Sequence, residues 1–389
     1  MKLDAVFDRE LQEPSALVLI NAIRPEWKNA PGEIRIERLV GGIPNAMLKI
    51  SKKAPGKTQV EIDQAAVLLR ANGDEPKVLV NRDLEAYTHE MLAERNLAAP
   101  LFARFKNGLL YGYVPGRVCQ VQDLAQEEVW GSVASKLGEF HARMPRDGPR
   151  GDRASTNAGI SIPTIWAIMQ NWVNELPSGT PEQEQRGQEL QTELLWSFEK
   201  LKNIGSIGDQ PYVYGHCDLL CGNIIITKEG QADQDGANSQ ERRITPVQVH
   251  FIDYEFAMLC PAAFDIANHF SEWGGFDCDY EKLPRRAIRK KFIDQYLASY
   301  VEHAGISLPN FQEAAEKLTA DVDQYRGIPG LWWGIHGLVS VLSSKIEFDW
   351  IGYSNKRLAE YRGWKAKEEG FSLIGGEKAT SREESWARE

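Results

Sequence analysis

Two short segments constrain the fold and chemistry of this chain more than any other part: YGHCDLLCGNIII at 214–226 and VHFIDYEF at 249–256. The first contains a histidine, an aspartate and an asparagine in H-x-D-x-x-x-x-N spacing, followed by a β-branched run that predicts a short buried strand. The second predicts another strand, ending at Asp253. The two segments therefore predict a loop, a strand, a turn, a second strand and an aspartate, in that order.

This order suits a magnesium-dependent phosphoryl-transfer site, in which an aspartate accepts the proton of the attacking hydroxyl and an asparagine holds the metal. The catalytic set is then His216, Asp218, Asn223 and Asp253, with Asp218 as the base and Asn223 and Asp253 as metal ligands. In the alternative interpretation, His216 braces the loop, and Asp218 and Asn223 form a turn, which both residue types favour. The flanking strands favour the catalytic interpretation.

Composition narrows the class of protein. A chain of 389 residues exceeds the usual single-domain size and predicts two lobes. A net charge of −10 argues against a nucleic-acid partner, which would require a basic surface. No apolar run has the length of a membrane span, and the N-terminus carries acidic residues where a signal peptide needs an apolar core.

The five cysteines are an odd number and show no paired metal spacing. Two of them, Cys217 and Cys221, lie inside the catalytic loop, where a zinc site competes poorly with the phosphoryl-transfer interpretation. Reduced thiols are the simplest account, and they predict a cytoplasmic enzyme.

The pattern of apolar residues predicts an α+β fold with a β-rich N-terminal lobe (1–116) and a larger, mainly helical C-terminal lobe (117–373). Strands are predicted near 33–40, 45–50, 67–70 and 109–114, and helices at 81–94, 127–144, 285–303 and 331–342. Two polar stretches, 146–161 and 227–245, are predicted as loops, and residues 374–389 as a disordered tail.

ATP is expected to bind the N-terminal lobe. Arg70 ends a strand and Glu85 lies on the next helix, an arrangement that kinases use to hold the α and β phosphates, although a surface salt bridge would look the same. The turn with Gly41, Gly42 and Asn45 could let the backbone approach the phosphates, or it could be a simple turn. Backbone groups of Gly112 and Val114, where the lobes should meet, are expected to contact adenine.

Beyond the catalytic loop, the chain resembles the choline/ethanolamine kinase family, and within it the ethanolamine kinases. The segments HCDLLCGNIII (216–226) and FIDYEFAMLCPAAFDIANHFSEW (251–273) carry this resemblance, with looser similarity from Gly41 to about Tyr361. It implies a protein-kinase-like, two-lobed fold that transfers the γ-phosphate of MgATP to a small amino alcohol. It also implies that Glu255 assists the metal site. The family loop usually reads H-N-D, whereas this chain has Cys217, whose side chain is expected to point away from the acceptor.

The same resemblance assigns the acceptor site to the N-H-F-x-E segment, here Asn268 to Glu272. Glu272 is the expected counter-ion for the substrate ammonium, with an ordinary exposed helix carboxylate as the alternative. Asp265 is expected to brace the catalytic loop and not to touch substrate.

An aromatic-rich helix is expected to complete the acceptor site with Trp333, His336, Trp350 and Tyr353. In choline kinases a W-x-x-W pair packs around the trimethylammonium group; here Trp333 matches the first position and His336 stands at the second. A quaternary ammonium depends on cation–π faces, whereas a primary ammonium needs acceptors for its N–H groups. The histidine therefore favours ethanolamine over choline, unless these aromatic residues, above all Trp332, are helix core.

The sequence as a whole predicts an ethanolamine kinase that uses ATP and Mg²⁺ in the first step of phosphatidylethanolamine synthesis. Choline kinase, another small-molecule phosphotransferase and a pseudokinase that senses an amine or a nucleotide are the alternatives. A homodimer stays open, as do the strength of choline exclusion and the role of the 227–245 loop.

Overall fold

The computed structural model describes residues 1–39, 46–73, 78–146, 162–208, 210–227, 247–344, 347–370 and 377–389. The chain divides into two compact units: residues 1–77 with 82–117, and residues 78–81 with 118–389. The first unit is a sheet with helices and the second is mainly helical, so the prediction of an α+β fold is confirmed.

The first unit is built on a six-stranded sheet in the order β1-β5-β6-β4-β3-β2. Neighbouring strands are antiparallel except for β1 and β5, which are parallel. The strands are β1 (Lys2–Leu3), β2 (Glu33–Arg38), β3 (Ala46–Lys53), β4 (Val67–Ala71), β5 (Leu101–Phe105) and β6 (Gly108–Gly112). The helices are α1 (Gln12–Ile23), α2 (Gln59–Gln64) and α3 (Arg82–Glu94), with a 3₁₀ turn at Pro25–Lys28.

The core of this unit lies between the sheet and the N-terminal segment. Leu48, Ile50 and Leu69 point from the strands to the same side as Ile20 of α1 and Trp27, and all are buried. The alternation of apolar and charged residues in β2 leaves one face of that edge strand to solvent, as expected for a half-buried strand. All four strands and the helix predicted here from the sequence are present, with small shifts at their ends.

The second unit contains most of the helices and four short strands that position the catalytic loop. Its helices are α4 (Glu127–Arg143), α5 (Ile165–Asn174), α6 (Pro181–Leu201), α7 (Ala262–Ser271), α8 (Arg286–Ala304), α9 (Phe311–Tyr325), α10 (Ile328–Ser343), α11 (Trp350–Glu368) and α12 (Glu377–Trp386). After β7 (Arg117–Val118), where the two units divide, the strands are β8 (Val213–Gly215), β9 (Ile224–Thr227), β10 (Gln248–Phe251) and β11 (Met258–Cys260). Short 3₁₀ turns lie at Val121–Ala125, Cys221–Asn223, Glu272–Gly274 and Tyr280–Lys282.

Glycines allow two pairs of helices to pack closely. A Cβ at Gly138 of α4 would lie 2.4 Å from the carbonyl oxygen of Tyr296 in α8. On α10, Gly330, Gly334 and Gly337 follow one face at helical spacing against α11, and a Cβ at Gly330 would lie 2.5 Å from the Arg357 oxygen. Any larger residue at these positions would force the helices apart.

Two strand pairs hold the ends of the loop that the sequence marks as catalytic. Strands β9 and β10 pair antiparallel with Ile224 opposite Phe251, and β8 and β11 pair antiparallel with Gly215 opposite Met258. The loop at 216–223 therefore runs from the end of one strand pair into the start of the other. The predicted order of loop, strand, strand and aspartate is present.

The prediction of a disordered tail at 374–389 was wrong for its greater part. Residues Glu377–Trp386 form α12, in which Arg382 and Trp386 are buried. The composition of the segment suggested disorder, but its charged residues meet opposite charges from other helices. The predicted polar loops at 146–161 and 227–245 lie almost entirely outside the described residues.

In the described part of the chain, no helix combines the length and the apolar composition that crossing a membrane requires.

Candidate active site

Asp265 anchors the catalytic loop. It lies in the first turn of α7, where its Oδ2 accepts from the backbone N–H of His216 and its Oδ1 from that of Cys217, both at 2.8 Å. His141 of α4 donates from Nε2 to Oδ2 at 2.9 Å. Burial raises the pKa of Asp265, but the hydrogen bond and charge of His141, together with His216, outweigh burial and lower it. The carboxylate thus braces the loop in its charged form. This is the role expected from the sequence.

Cys217 faces away from the catalytic aspartate and is fully buried, with φ +59°. Its thiol contacts Cys260 of β11, and burial raises the pKa of both thiols. Cys217, Cys260 and Asp265 offer ligand atoms within 4.8 Å of one another, but both oxygens of Asp265 already accept hydrogen bonds. We therefore assign this cluster to packing and not to a metal.

Asp218 is the carboxylate that the loop presents. Asn223 Nδ2 donates to its Oδ2 at 2.9 Å and to its backbone oxygen at 2.8 Å, while Oδ1 is buried and has no hydrogen-bond donor among the described residues. Burial raises the pKa of Asp218 well above its ordinary value, and the charges of Asp253, Glu272 and Glu255 raise it further. A base in this setting gains most when a cation binds close by, because a cation lowers its pKa.

Asp253 follows β10 and adopts φ +64°, a left-handed conformation that is uncommon for a residue other than glycine. The preceding residue joins strand and loop, because Ile252 donates its N–H to the Asn223 carbonyl at 3.0 Å and its own carbonyl accepts from His216 Nε2 at 3.1 Å. Backbone strain of this kind concentrates at functional sites. The structure thus brings the strand end that carries Asp253 against the loop that carries Asn223.

The oxygen donors in this region fit magnesium. Asn223 uses its Nδ2 for hydrogen bonds, so its amide oxygen can serve as a ligand, and Asp253 offers a carboxylate. Such hard oxygen donors suit Mg²⁺. Asn223 and Asp253 would hold the ion, which would supply positive charge to the phosphate oxygens during transfer. Glu255 lies two residues beyond Asp253, and its negative charge contributes to the raised pKa of Asp218.

His216 has a different role from the other members of the predicted catalytic set. Its ring is fully buried, its Nε2 binds the Ile252 carbonyl, and it packs against Phe140 and Tyr254. A fully buried ring whose Nε2 binds a backbone carbonyl fits the alternative interpretation, in which His216 braces the loop. A direct catalytic role for His216 stays a prediction.

Glu272 is buried, so the alternative of an exposed helix carboxylate is wrong. Its side chain forms an ion pair of 2.7 Å with Arg357 of α11. Burial raises the pKa of Glu272, Arg357 lowers it and Glu360 raises it again, with a net rise. The carboxylate already has one cation, and yet its charge reaches Asp218. Glu272 therefore lies close enough to Asp218 for its charge to act on that carboxylate.

Asn268 and Trp333 form a brace. Asn268 donates from Nδ2 to the Cys217 carbonyl at 3.0 Å and accepts from Trp333 Nε1 at 2.9 Å. Each polar end of the amide thus has one partner within the protein. Contact of Asn268 with substrate stays a prediction. Trp332, the neighbour of Trp333, is fully buried core, as its alternative interpretation held.

His336, Trp350 and Tyr353 lie together, as predicted. The ring centroid of His336 is 5.4 Å from that of Trp333 and 5.9 Å from that of Trp350, and Trp350 lies 6.4 Å from Tyr353. Burial lowers the pKa of His336 to about 4, so its ring is neutral at pH 7. Its Nδ1 is buried and has no hydrogen-bond partner in the described part of the chain. These aromatic faces and one uncommitted nitrogen form a surface that suits an organic ammonium.

The first unit contains the predicted phosphate pair. Arg70 of β4 and Glu85 of α3 form a buried ion pair, and Arg82 adds a second cation at 2.9 Å from Glu85. Burial raises the pKa of Glu85, but Arg70 and Arg82 outweigh it and lower it. A buried pair is not the surface salt bridge of the alternative interpretation. Gly41, Gly42 and Asn45 lie outside the described residues.

Some of the backbone groups in the strand predicted to contact adenine already form hydrogen bonds within the protein. The N–H of Gly112 donates to the Pro100 carbonyl at 2.9 Å, and that of Tyr113 donates to the Ala66 carbonyl at 3.0 Å. The N–H of Gly112 is therefore paired within the protein, and contact of Gly112 with adenine stays a prediction. Val114 follows β6 and makes no backbone hydrogen bond to the described residues, so it is the better candidate of the two.

Comparison with known proteins identifies the family. The family model described as choline/ethanolamine kinase matches residues 36–362. The chain belongs to the choline/ethanolamine kinase family. Ethanolamine kinase 1 of Mus musculus is 30% identical over 92% of this chain and 92% of its own length. A protein of Arabidopsis thaliana named probable ethanolamine kinase is 26% identical over 96% of this chain and 90% of its own length.

Solved structures agree on the fold. The ethanolamine kinase of Plasmodium vivax has a TM-score of 0.69 at 20% identity, covering 91% of this chain and 89% of its own. The choline kinase of Cryptosporidium parvum has a TM-score of 0.62 at 20% identity, covering 91% and 97%. The protein-kinase-like fold predicted from the sequence is thereby confirmed.

The sequence did not predict the roles of two residues that contact the site, His141 and Arg357. His141 lies four residues after Leu137 on the apolar stripe of α4, so a polar residue on a buried face was the available signal. Arg357 offered none, since an arginine on a mixed helix usually faces solvent. Only the packing of α11 brings it to Glu272.

His269, within the family's acceptor segment, makes the fold sensitive to acid. Its Nδ1 donates to the Leu219 carbonyl at 2.8 Å and its Nε2 accepts from Trp273 at 3.3 Å, which fits only the neutral ring. Burial lowers its pKa to about 4 from 6.5, against the hydrogen bond to Leu219 and the charge of Asp265. Below pH 6.5 His269 becomes protonated in the unfolded state, whereas in the folded state it stays neutral down to about pH 4. The free energy of unfolding therefore falls as pH falls.

We expect His269 to account for a loss of about 2 kcal/mol in the free energy of unfolding between pH 7 and pH 5. Urea unfolding of the wild type and of His269→Gln at both pH values measures this. The variant should lose about that much less stability over the interval. An equal loss in the two proteins would contradict the assignment.

Proposed function

We propose that this protein transfers the γ-phosphate of MgATP to the hydroxyl of ethanolamine, giving phosphoethanolamine. The observation that carries the proposal is Asp218, a buried carboxylate that has one oxygen without a donor in the described part of the chain and is acted on by the charges of Asp253, Glu255 and Glu272. An oxygen in that state is suited to accept a hydroxyl proton. Family membership and relatives named ethanolamine kinase support the same reaction.

The residues divide the work of the reaction. Asp218 Oδ1 would orient the ethanolamine hydroxyl for in-line attack and accept its proton, while Asn223 keeps Oδ2 in place. Asn223 and Asp253 would hold Mg²⁺, with Glu255 two residues after Asp253 to assist the metal site. Arg70, held by Glu85, would pair with the phosphates of ATP, and Val114 would receive adenine. Because phosphoryl transfer needs mainly position and charge, this set is sufficient.

Recognition of a primary ammonium is the second part of the proposal. Glu272 would contribute negative charge, and Trp350 and Tyr353 would contribute aromatic faces. The neutral His336 would accept an N–H of the ammonium at Nδ1, for which the described residues provide no partner. Choline has no N–H to donate, so it would leave Nδ1 buried without a hydrogen bond, at a cost of about 1–3 kcal/mol.

The product, phosphoethanolamine, places this enzyme at the first step of phosphatidylethanolamine synthesis. A cytoplasmic location belongs to the same proposal and is supported by the cysteines, which are odd in number and show no paired metal spacing.

The test is steady-state turnover of ATP with ethanolamine and with choline in parallel. We expect kcat/KM for ethanolamine to exceed that for choline at least about tenfold, because choline cannot satisfy His336. His336→Phe should narrow the difference, and His303→Phe, a matched change at an exposed position of α8, should leave it unchanged.

Other outcomes discriminate between the alternatives. A preference for choline would contradict the role of His336 and retain the kinase. Turnover of neither alcohol would overturn the proposed substrate, and ATP binding without turnover of any amino alcohol would favour a pseudokinase.

A further inference from the structure

A chain of buried charged side chains connects the acceptor site to the C-terminal helix α12. It alternates in sign, and every member is almost completely buried in the second unit. We call it the buried ion-pair chain; its members are Glu272, Arg357, Glu360, Arg382, Glu383 and Arg326.

The half nearest the acceptor site contains one shared cation. Arg357 lies 2.7 Å from Glu272 and 3.4 Å from Glu360, so two carboxylates compete for one guanidinium. Arg357 also donates from Nε to the hydroxyl of Tyr353 at 3.1 Å. Its position therefore depends on how fully Glu360 is satisfied by other groups.

Arg382 supplies the second cation. Its Nε lies 3.7 Å from Glu360, and its Nη1 is 3.1 Å from Glu383. Its Nη2 donates to the Arg326 carbonyl at 2.6 Å and lies 3.5 Å from the hydroxyl of Ser271. Ser271 is the last residue of α7 and directly precedes Glu272. Arg382 thus reaches Glu272 along two routes, one through charges and one through the helix end.

The charge balance shows what Arg382 contributes. A buried carboxylate that loses a cation draws on whichever cation remains, because leaving it unpaired costs several kcal/mol. Without Arg382, Glu360 would draw Arg357 toward itself and away from Glu272. The Glu272 carboxylate would then lose the partner that holds its orientation next to Asp218.

The family comparison does not cover this contact. The match to the choline/ethanolamine kinase model ends at residue 362, whereas α12 spans Glu377–Trp386. Arg382 therefore lies beyond the residues that the family model matches.

We propose that Arg382 is a positioning residue for the acceptor amine, which holds Glu272 in place through Glu360 and Arg357. The inference rests on the proposed function, because the role of Glu272 as counter-ion of ethanolamine is part of that proposal. It makes the C-terminal helix a determinant of acceptor affinity.

The experiment measures KM for ethanolamine, KM for ATP, kcat and thermal unfolding in the full-length chain. Arg382→Met removes the charge with little loss of volume, and Arg382→Lys retains the charge. Arg388→Met is the matched control, because Arg388 lies just after the same helix in an exposed ion pair with Glu281. Wild-type turnover of ethanolamine is measured first, because its absence would contradict both the proposed function and this inference.

We expect Arg382→Met to raise KM for ethanolamine about tenfold, within the range for coupled charges in one network, and to leave KM for ATP within about twofold. Arg382→Lys should recover most of the affinity, and Arg388→Met should match the wild type. The double variant Arg382→Met with Glu360→Gln should also recover affinity, because the competing carboxylate is then neutral and Arg357 returns to Glu272.

An unchanged KM for ethanolamine in a folded Arg382→Met protein would overturn the inference. So would a parallel rise of both KM values, which indicates a general loss of structure. If Arg382→Met does not fold, Glu360→Gln alone decides: the inference requires KM for ethanolamine at or below the wild-type value, and a rise contradicts it.

Discussion

Replacing Asp218 with asparagine is expected to lower kcat by about 10³-fold, within the range for loss of a general base. Asparagine has nearly the same shape as aspartate and can keep a hydrogen bond to Asn223, but it cannot accept the proton of the acceptor hydroxyl. KM for ATP should change little, because the proposed nucleotide contacts lie on other residues.

The same substitution is expected to stabilise the protein in the absence of ligands. Burial and the charges of Asp253, Glu272 and Glu255 raise the pKa of Asp218, so its charged form is disfavoured in the fold. A neutral amide removes that repulsion, and the free energy of unfolding should rise at pH 7. An active site that costs stability is a common compromise in enzymes.

Steady-state kinetics and urea unfolding of the two proteins test both statements. Asp4→Asn is the control, because it makes the same chemical change at an exposed ion pair with Lys106. A variant at Asp218 that retains more than a tenth of wild-type kcat would show that another group is the base. A fall in stability would show that the surrounding carboxylates do not act on Asp218 as described.

Asp265→Ala is expected to cost about 3–5 kcal/mol of stability, the usual effect of removing one partner from a buried charged network. The change leaves the N–H groups of His216 and Cys217 and the His141 ring without their acceptor. The catalytic loop begins at these two N–H groups, so kcat should fall with stability. Asp265→Asn should have a smaller effect, because one carbonyl oxygen remains.

Asp321→Ala is the matched control for this prediction. Asp321 is also a buried aspartate, and it accepts from the Gly205 N–H at 3.2 Å and from Lys317 at 2.7 Å, away from the catalytic loop. It should lower stability without a comparable loss of kcat in the protein that remains folded. Urea unfolding and kinetics at one temperature separate the two cases. A loss below about 1 kcal/mol in Asp265→Ala would indicate that the loop is held mainly by its strands.

Much of the active site could be predicted because its parts lie close together along the chain. Asp218 and Asn223 are separated by five positions, and Asp253 follows the strand that pairs with the one after the loop. Local spacing and strand pairing then determine which side chains meet. The contact between Arg70 and Glu85 was predictable for a similar reason, because a strand end and the next helix are neighbours in most folds.

Acceptor-site roles were less predictable, since they depend on what each polar atom already binds. Asn268 looked like a substrate contact, but its amide holds the catalytic loop and Trp333. Glu272 looked like a free counter-ion, but it shares Arg357 with Glu360. Sequence identifies which residue types are present, whereas hydrogen-bond partners far along the chain decide which of their atoms stay available.

By itself, the sequence predicted the α+β class and the loop between paired strands, because these depend on local periodicity and fixed spacing, and two of its segments carried the resemblance to the family. Only the tertiary structure showed that the His216 ring is buried against the Ile252 carbonyl, that Glu377–Trp386 form a helix, and that Arg357 pairs with Glu272. The physical reason is the free-energy cost of burying charge. A charged side chain is stable in a protein interior when a partner of opposite charge is close to it, and that partner can come from any part of the sequence.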